Sequence, residues 1–305
     1  MEFIRFTNKN LIINTLLVVG YLLWVHFIGE VRGEHYALVI IWISAYYIND
    51  KSRRFIIGFS IFIIFWIIYD SMRIIPNYEV STAHIKEPYD FEKALFGINL
   101  SDKFLTPNEY FSLYNNKFLD FLSGFFYINW MPVPLGFGVY LYLKDKYVFV
   151  NYSIAFLLVN IIGFVIYYIY PAAPPWYVEL YDFDLHIGVP GNRAGLVRFD
   201  ELVNIPVFEA IYNKNANVLA AIPSLHAAYP VIVLYFGIKK RLGWIIILFV
   251  VFMLGIWFSA VYSGHHYIID IILGISIALI TVLLFNRISK YSIINKSIKK
   301  MVNNI

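Results

Sequence analysis

Long apolar runs recur along the whole chain, and their length restricts the fold more than any other feature. A helix needs about 20 apolar residues to cross the hydrocarbon core of a bilayer. One run, 36–48, is short enough to be an interfacial or re-entrant segment instead of a crossing. The pattern predicts an all-α protein that crosses the membrane several times. The runs cover 11–29, 36–48, 54–72, 119–143, 148–170, 219–238, 243–263 and 266–286.

The composition excludes several other classes of protein. Hydrophobic residues make up 60% of the 305 residues and charged residues 14%, whereas about 25% of a soluble domain is charged. The chain has no cysteine, which excludes disulfides, thiolate metal sites and a cysteine nucleophile. The net charge is only +4, and no basic patch indicates a nucleic-acid partner. The first apolar run lacks a small-residue cleavage site, so we expect it to be retained as a span.

Clusters of lysine and arginine predict the orientation of the chain. They alternate with the remaining loops, so one topology places all of them on the same side, which is expected to be cytoplasmic. The opposite side then holds two long loops, 73–118 and 171–218, and the corner near 263–265. The basic clusters are 51–54, 144–146, 239–241 and 287–300.

Two local patterns refine this topology. Prolines and glycines within "WMPVPLGFG" (130–138) predict a bend in the span 119–143. In the first outer loop, "TPNE" (106–109) combines a threonine cap, a proline and a glutamate, which is typical of a helix start. The aromatic residues that follow predict either a helix along the outer interface or a packed lid.

Ionisable residues inside a membrane segment are costly and usually functional. His266 and Asp270 are four residues apart at the start of the last span, where one helical face brings them within hydrogen-bonding reach. A carboxylate on one imidazole nitrogen fixes the tautomer and leaves the other lone pair free, as a nucleophile or general base needs. His226 lies near the outer end of span 219–238, at a similar depth, so we expect the two imidazoles to face one cleft.

Neighbouring residues are suited to a phosphate group. Pro223 and Ser224 form a plausible helix start, whose free N–H groups attract anions. Arg193 and Arg198 lie in the second outer loop, and guanidinium groups bind phosphate in a bidentate manner. The other four histidines, at 26, 35, 84 and 186, lie at loop or helix ends and are expected to be structural or neutral.

Several of these segments resemble a known enzyme family. "IPSLHAAYP" (222–230) and "SAVYSGHHYIIDIILG" (259–274) resemble the second and third signature motifs of the type 2 phosphatidic acid phosphatase (PAP2) superfamily. "YPAAPPWY" (170–177), "GLVRFD" (195–200), "YDSMR" (69–73) and the double histidine resemble its inositol phosphorylceramide synthase branch, including bacterial members. The resemblance implies a six-helix PAP2-like catalytic domain over 54–286. About two extra helices over 1–53 would precede this domain, and a basic tail over 287–305 would follow it.

The resemblance also implies roles for individual residues. Alignment on Ser259 and Tyr267 makes His266, and not His265, the nucleophile that receives the phosphoryl group. His226 would act first as the general acid and then as the general base, and Asp270 would orient His266. No metal or other cofactor is implied.

This chain departs from the phosphatases in two places. It has Ala260 where they carry an arginine, and their first motif, a lysine with a distant "RP", is absent. The phosphate clamp must therefore be rebuilt. We expect the remaining phosphate and substrate contacts to come from this set: Ser224, Arg193, Arg198, His265, Tyr262, Asp70 and Arg73. For the last two of these, an interfacial ion pair is the alternative.

These observations predict a membrane phosphotransferase that moves a phospho-head group, such as phosphoinositol from phosphatidylinositol, onto a ceramide-type lipid. A lipid phosphate phosphatase on the same scaffold, with water as the acceptor, is the alternative. A histidine metal site in a transporter is a further reading, since His226, His265, His266 and Asp270 are acceptable ligands. The Asn/Lys/Ile-rich composition is typical of AT-rich bacterial genomes, which predicts a bacterial inner membrane with the site on the periplasmic side. A eukaryotic source would place it in the Golgi, facing the lumen.

Overall fold

The computed structural model describes residues 6–29, 31–213 and 217–305, which form sixteen α-helices and one β-hairpin. The first eight helices are α1 Asn8–Ile28, α2 Gly33–Ile48, α3 Asp50–Ser71, α4 Asn77–Val80, α5 Lys86–Phe96, α6 Pro107–Leu113, α7 Lys117–Ile128 and α8 Pro132–Lys144. The next eight are α9 Lys146–Ile169, α10 Pro175–Tyr181, α11 Val197–Val203, α12 Val207–Tyr212, α13 Leu225–Lys239, α14 Ile245–Tyr262, α15 Ile268–Ile288 and α16 Ser292–Asn304. The hairpin pairs β1 Ile98–Leu100 with β2 Lys103–Leu105 in antiparallel register.

Among the described helices, α1, α3, α9, α14 and α15 are long and apolar enough to cross a membrane. Helix α13 is apolar but has 15 residues. Helix α2 has 16 residues and packs against α3. The predicted all-α fold is confirmed, and the chain is a multi-pass membrane protein.

Two predicted spans differ from the structure. The run 119–143 is not one bent helix, because α7 ends at Ile128 and α8 begins at Pro132. Pro132 occupies the first turn of α8, where the missing proline N–H has no helical partner to lose. The chain therefore breaks before the prolines, instead of bending at them. The run 219–238 also begins outside a helix, since α13 starts only at Leu225.

The basic segments meet at one end of the bundle. Lys240 Nζ lies 2.9 Å from Asp145 Oδ2, and Lys239 Nζ donates to Asn286 Oδ1 at 2.9 Å. Helix α16 packs against α3 and α9. The junctions α8–α9 and α13–α14 thus lie beside the C-terminal segment, as the charge pattern predicts. That this end faces the cytoplasm stays a prediction.

At the opposite end, the predicted helix start at 106–109 is present. Thr106 Oγ1 accepts from the Glu109 N–H at 3.2 Å, and Glu109 Oε2 accepts from the Thr106 N–H at 2.7 Å. Pro107 is the first residue of α6. The Phe111 ring contacts the ring of Phe258 in α14, which favours the packed-lid alternative for this segment.

The core of the molecule surrounds α9. Tyr152 and Phe156 of this helix are fully buried. Their rings contact Phe62 of α3, and the Phe156 ring also contacts Tyr229 of α13. The Tyr229 hydroxyl donates to Asn160 Oδ1 of α9, which satisfies two buried polar groups in an apolar surrounding. This packing joins both α3 and α13 to α9.

Helix α15 packs so closely on the start of α13 that position 274 requires glycine. A Cβ on Gly274 would lie 2.2 Å from the backbone carbonyl oxygen of Ser224. Gly274→Ala must therefore push two backbones apart, and we expect it to lower the free energy of unfolding by about 1–3 kcal/mol. The measurement is the thermal unfolding midpoint in detergent.

Gly136→Ala in α8 is the matched control, because a Cβ at that position meets no atom within 4 Å. It should leave the midpoint unchanged or raise it, since alanine is the better helix former. If Gly274→Ala unfolded at the wild-type midpoint, the close approach of α15 to α13 would be contradicted.

Candidate active site

Three of the residues predicted from the sequence form a continuous row at the end of the bundle opposite the basic segments. His226 Nδ1 lies 3.0 Å from His266 Nε2. His266 Nδ1 lies 3.3 Å from Asp270 Oδ2. Asp270 is completely buried, His266 is 5% exposed and His226 is partly buried. The row thus runs from the buried carboxylate of Asp270, through the imidazole of His266, to the imidazole of His226, which is the most exposed of the three.

The pair His266–Asp270 forms in a way that the helical spacing did not predict. His266 precedes α15, which begins at Ile268 with Tyr267 as its cap. Asp270 reaches back from the first turn, and its Oδ2 also accepts from the Tyr267 N–H at 2.9 Å. The carboxylate therefore fixes both the imidazole and the backbone that follows it.

These partners assign the protons of the row. An ionised carboxylate only accepts hydrogen bonds, so His266 donates from Nδ1 to Asp270 and keeps a lone pair on Nε2. His226 then donates from Nδ1 to that lone pair. A substrate phosphorus can reach His266 Nε2 only when the hydrogen bond from His226 to that nitrogen is broken. The proton on His226 Nδ1 is then available beside the reacting atoms.

Burial favours the neutral form of the nucleophile candidate. His266 lies in the turn between α14 and α15, and desolvation lowers its pKa from 6.5 to about 4. The imidazole is therefore neutral at neutral pH, as nucleophilic attack requires. Its lowered pKa also means that it contributes stability at neutral pH, which is lost as the pH falls from 6.5 towards 4.

Aromatic side chains enclose the accessible imidazole. The edge of Trp130 meets the His226 ring at a centroid distance of 4.6 Å. The Tyr127 hydroxyl lies 3.3 Å from His226 Nδ1. Both residues come from the end of α7 and the break that follows it, so the break between α7 and α8 contributes directly to the site.

The turn that carries the two histidines is held from several directions. The N–H groups of His265 and His266 both donate to the Ala260 carbonyl at 3.0 Å. Gly264 has a φ of +74°, which favours glycine because it has no Cβ. Asn108 Nδ2 donates to the His266 carbonyl at 2.9 Å and to the Val261 carbonyl at 2.8 Å. Helix α6 thus reaches the turn through one buried amide.

The second outer loop holds the same turn through its backbone. The Trp176 N–H donates to the Gly264 carbonyl at 3.0 Å, and the Gly195 N–H donates to the Ser263 carbonyl at 2.9 Å. The segments "PAAPPWY" and "GNRAGLVRFD" therefore both reach the histidine turn, although neither supplies a side chain to the row of His226, His266 and Asp270.

His265 lies apart from this row. Its ring stacks between Tyr212 and Tyr127, at centroid distances of 4.4 and 5.4 Å. Its Nε2 lies 3.1 Å from the Arg193 carbonyl oxygen. Burial, together with the nearby His266 and His226, lowers the pKa of His265 well below its usual value. The three imidazoles do not converge on one point, so the geometry gives no support to a histidine metal site.

The two outer-loop arginines already have carboxylate partners. Arg193 Nη1 lies 3.1 Å from both Asp200 Oδ2 and Glu209 Oε2. Arg198 Nε donates to Asp120 Oδ1 at 2.6 Å. Neither guanidinium contacts the histidine row among the described residues, and phosphate binding by these arginines stays a prediction.

Arg198 nevertheless belongs to the wall of a cavity. Its guanidinium lies over the ring of Tyr262, 5.2 Å from the centroid, and the Tyr262 hydroxyl donates to Asp120 Oδ1 at 2.8 Å. The cavity has a volume of about 680 Å³, and its wall includes Gly264 and Tyr267, the residues on either side of the two histidines.

Ser224 has a structural part in the site. Its side chain is fully buried and accepts from the Ala227 N–H at 3.2 Å, which caps α13. The Ser224 N–H donates to the Asp270 carbonyl at 3.0 Å. The serine thereby joins the two motifs, and a contact between its hydroxyl and phosphate stays a prediction.

Asp70 and Arg73 do not join the histidine row. Arg73 Nε donates to Asp70 Oδ1 at 3.0 Å, and Asp70 also binds Arg32 and His35. The guanidinium groups of Arg32 and Arg73 compensate the charge of the buried Asp70 carboxylate. This network ties the start of α2 to the end of α3, and it fits the ion-pair alternative.

Sequence reasoning missed several residues that shape the site. Asp120 and Tyr127 contact Arg198 and His226 from α7, a segment in which no motif was identified, and Asn108 contacts the histidine turn from the helix start at 106–109. Glu92 of α5 is completely buried and binds the start of α15. The sequence signal for Glu92 is its spacing of four residues from both Pro88 and Phe96, which places a carboxylate among apolar residues on one helical face.

A comparison with known proteins gives a family match that covers the site. The chain matches the PAP2 superfamily over residues 105–284, which contain the row of His226, His266 and Asp270. No solved structure gives a significant match to the chain.

The chain is also similar to named enzymes along most of its length. It is 43% identical over 280 residues to a phosphoinositol dihydroceramide synthase of Bacteroides thetaiotaomicron, covering 91% of this chain and 92% of that protein. It is 28% identical over 199 residues to the inositol phosphorylceramide synthase catalytic subunit AUR1 of Saccharomyces cerevisiae, covering 60% of this chain and 44% of that protein. With the family match and the full-length similarity taken together, the chain belongs to the PAP2 superfamily, in its inositol phosphorylceramide synthase branch.

Proposed function

We propose that this protein transfers phosphoinositol from phosphatidylinositol to the hydroxyl group of a ceramide-type lipid. The observation that carries the proposal is the 43% identity with a bacterial phosphoinositol dihydroceramide synthase across nearly the full length of both chains. The row of His226, His266 and Asp270 supports it, because this row contains the groups that two successive phosphoryl transfers need.

In the first transfer, His266 Nε2 attacks the phosphorus of the donor and forms an N–P bond. The bond between phosphorus and the diacylglycerol oxygen breaks, and that oxygen takes the proton from Nδ1 of His226, which acts in this step as an imidazolium and is left neutral. Asp270 stabilises the positive charge that develops on His266, which now carries phosphoinositol. General acid catalysis of this kind contributes about 10²–10⁴-fold.

In the second transfer, the acceptor hydroxyl replaces diacylglycerol. His226, now without its extra proton, takes the proton of the ceramide-type hydroxyl. The alcohol oxygen attacks phosphorus, the N–P bond breaks, and neutral His266 is restored. Both imidazoles therefore return to their starting protonation states, and no other reactant is needed.

The surroundings are suited to the charge of the reacting phosphate. His226 is the second residue of α13, and helix N-termini favour anions. The donor phosphate is a diester with a single negative charge. It needs less positive charge than a phosphomonoester, which agrees with Ala260 in place of the phosphatase arginine.

An apolar groove beside the site suits lipid substrates. It has a volume of about 440 Å³ and lies between α5, α9 and α15. Its wall includes Ile222 and Ile269, which adjoin the two motifs, and Leu273 on the exposed side of α15. Lipid chains in this groove would lie close to the histidine row.

We also propose a bacterial inner membrane as the location, with the site on the periplasmic side. The clustering of the basic segments at the end of the bundle opposite the histidines supports this orientation. The similarity to a Bacteroides enzyme supports the bacterial source.

Substitutions in the row should separate its roles. His266→Ala should reduce transfer by about 10⁴-fold or more, because the nucleophile is lost. Asp270→Asn should cost about 10²–10⁴-fold, because an amide no longer favours the required tautomer of His266. The measurement is the amount of inositol-phosphorylated ceramide formed by purified protein.

His26→Ala is the control, since His26 is an exposed residue of α1. It should keep wild-type transfer. Equal transfer by His266→Ala and the wild type, at equal amounts of folded protein, would overturn the assignment of the nucleophile.

The choice between transfer and hydrolysis needs a second assay. Purified protein is given phosphatidylinositol labelled in the inositol ring, with and without ceramide. We expect labelled ceramide product when the acceptor is present, and only slow release of free inositol phosphate without it. Release that is equally fast in both samples, with no labelled ceramide, would show a phosphodiester hydrolase instead.

A further inference from the structure

Glu92 is a buried carboxylate that reaches the active site from a distant segment. It belongs to α5, which lies in the first outer loop, and its side chain is completely buried. Its Oε1 accepts from the Ile268 N–H at 2.9 Å, and its Oε2 accepts from the Ile269 N–H at 3.1 Å. These are the first two residues of α15, 176 and 177 positions further along the chain.

The two N–H groups are among those that a helix leaves without an internal partner. A carboxylate at this end is also favoured by the helix dipole. Asp270 satisfies the preceding N–H, that of Tyr267, so two carboxylates share the start of α15. Glu92 binds the start of α15 from another helix, α5, while Asp270 binds it from the first turn of α15 itself.

The backbone that Glu92 binds lies between His266 and Asp270 in the sequence. His266 is two residues before the first N–H that Glu92 binds, and Asp270 is the residue after the second. A shift of this backbone therefore moves the His266 ring relative to both Asp270 and His226. Misplacement of a reacting group by about 1 Å can cost 10²-fold in rate.

We propose that Glu92 is a positioning residue for phosphoryl transfer, whose ionised carboxylate keeps His266 aligned with His226 and Asp270. The role rests on the proposed function, since His266 is taken as the nucleophile. Glu92 does not contact the substrate and acts through the start of α15. Its loss should therefore lower kcat and leave KM nearly unchanged.

Protonation gives this role a recognisable signature. Burial, followed by the nearby charge of Asp270, raises the pKa of Glu92 from 4.5 to about 7. A protonated carboxyl group keeps one good acceptor, so one of the two N–H bonds is weakened. Activity should therefore rise through pH 7. The free energy of unfolding follows the opposite trend. The contribution of Glu92 to it falls as the pH rises from 4.5 to 7, because the folded protein binds the proton more tightly than the unfolded chain does.

The ionisable groups that face Glu92 come from its own helix, from α6 and from the start of α15. Tyr267, which caps α15, lies beside Glu92, and burial raises the pKa of Tyr267 well above its usual value. Tyr89 and Lys93 of α5 form a bonded cluster with Glu109 of α6, and the pKa values of Tyr89 and Lys93 are both raised. From α15, the carboxylate of Asp270 acts electrostatically on Glu92.

The test compares Glu92→Gln with the wild type, and Asp90→Asn is the control. Asp90 lies on the same helix with a side chain 58% exposed. We expect Glu92→Gln to lose about 10- to 100-fold in kcat for total donor consumption, with KM changed less than about twofold. The activity change near pH 7 should flatten, and Glu92→Asp should recover part of the rate. Asp90→Asn should match the wild type.

A readout independent of turnover separates this proposal from the proposed function. Diethyl pyrocarbonate modifies exposed imidazoles, and its reaction at His266 is followed by mass spectrometry in folded protein. Glu92→Gln should react several-fold faster at His266 than Asp90→Asn does. Equal modification rates at equal unfolding midpoints would overturn the positioning role, even if the wild type consumed no donor. Loss of donor consumption in the wild type alone would overturn only the proposed function.

Discussion

One backbone hydrogen bond joins the two halves of the candidate active site. The Ser224 N–H donates to the Asp270 carbonyl at 3.0 Å, and Gly274 leaves the space that this approach requires. His226 follows Ser224 by two residues, while His266 precedes Asp270 by four. The 3.0 Å contact between the imidazoles is therefore set by packing of the main chain, and not by two flexible side chains alone.

The remaining outer segments act on the same turn. Asn108 binds its backbone from α6, Trp176 binds it from α10, and Glu92 binds the helix that follows it from α5. The turn lies at the end of the bundle, where membrane helices stop and backbone groups need new partners. The two long loops, 73–118 and 171–218, supply those partners and so hold the turn in place.

The sequence predicted the membrane class, most of the spans and the row of His226, His266 and Asp270, because hydrophobic length and local motifs carry that information. It did not predict that His266 precedes its helix, because helix spacing and a capping carboxylate give the same four-residue pattern. The prolines and glycines of 130–138 predict a bend as readily as a break, and the structure has the break before Pro132. The contact of Glu92 with α15 joins segments 176 residues apart, and no local pattern encodes it.

The account depends on a covalent intermediate at His266, and trapping it is the most direct test. Purified protein is incubated with labelled phosphatidylinositol without acceptor, quenched at alkaline pH, where phosphohistidine survives, and digested for mass spectrometry. The account predicts phosphoinositol on the peptide that contains His266, and its disappearance when ceramide is added. Label on His226 or His265 in its place, or product formation without any labelled histidine, would contradict it.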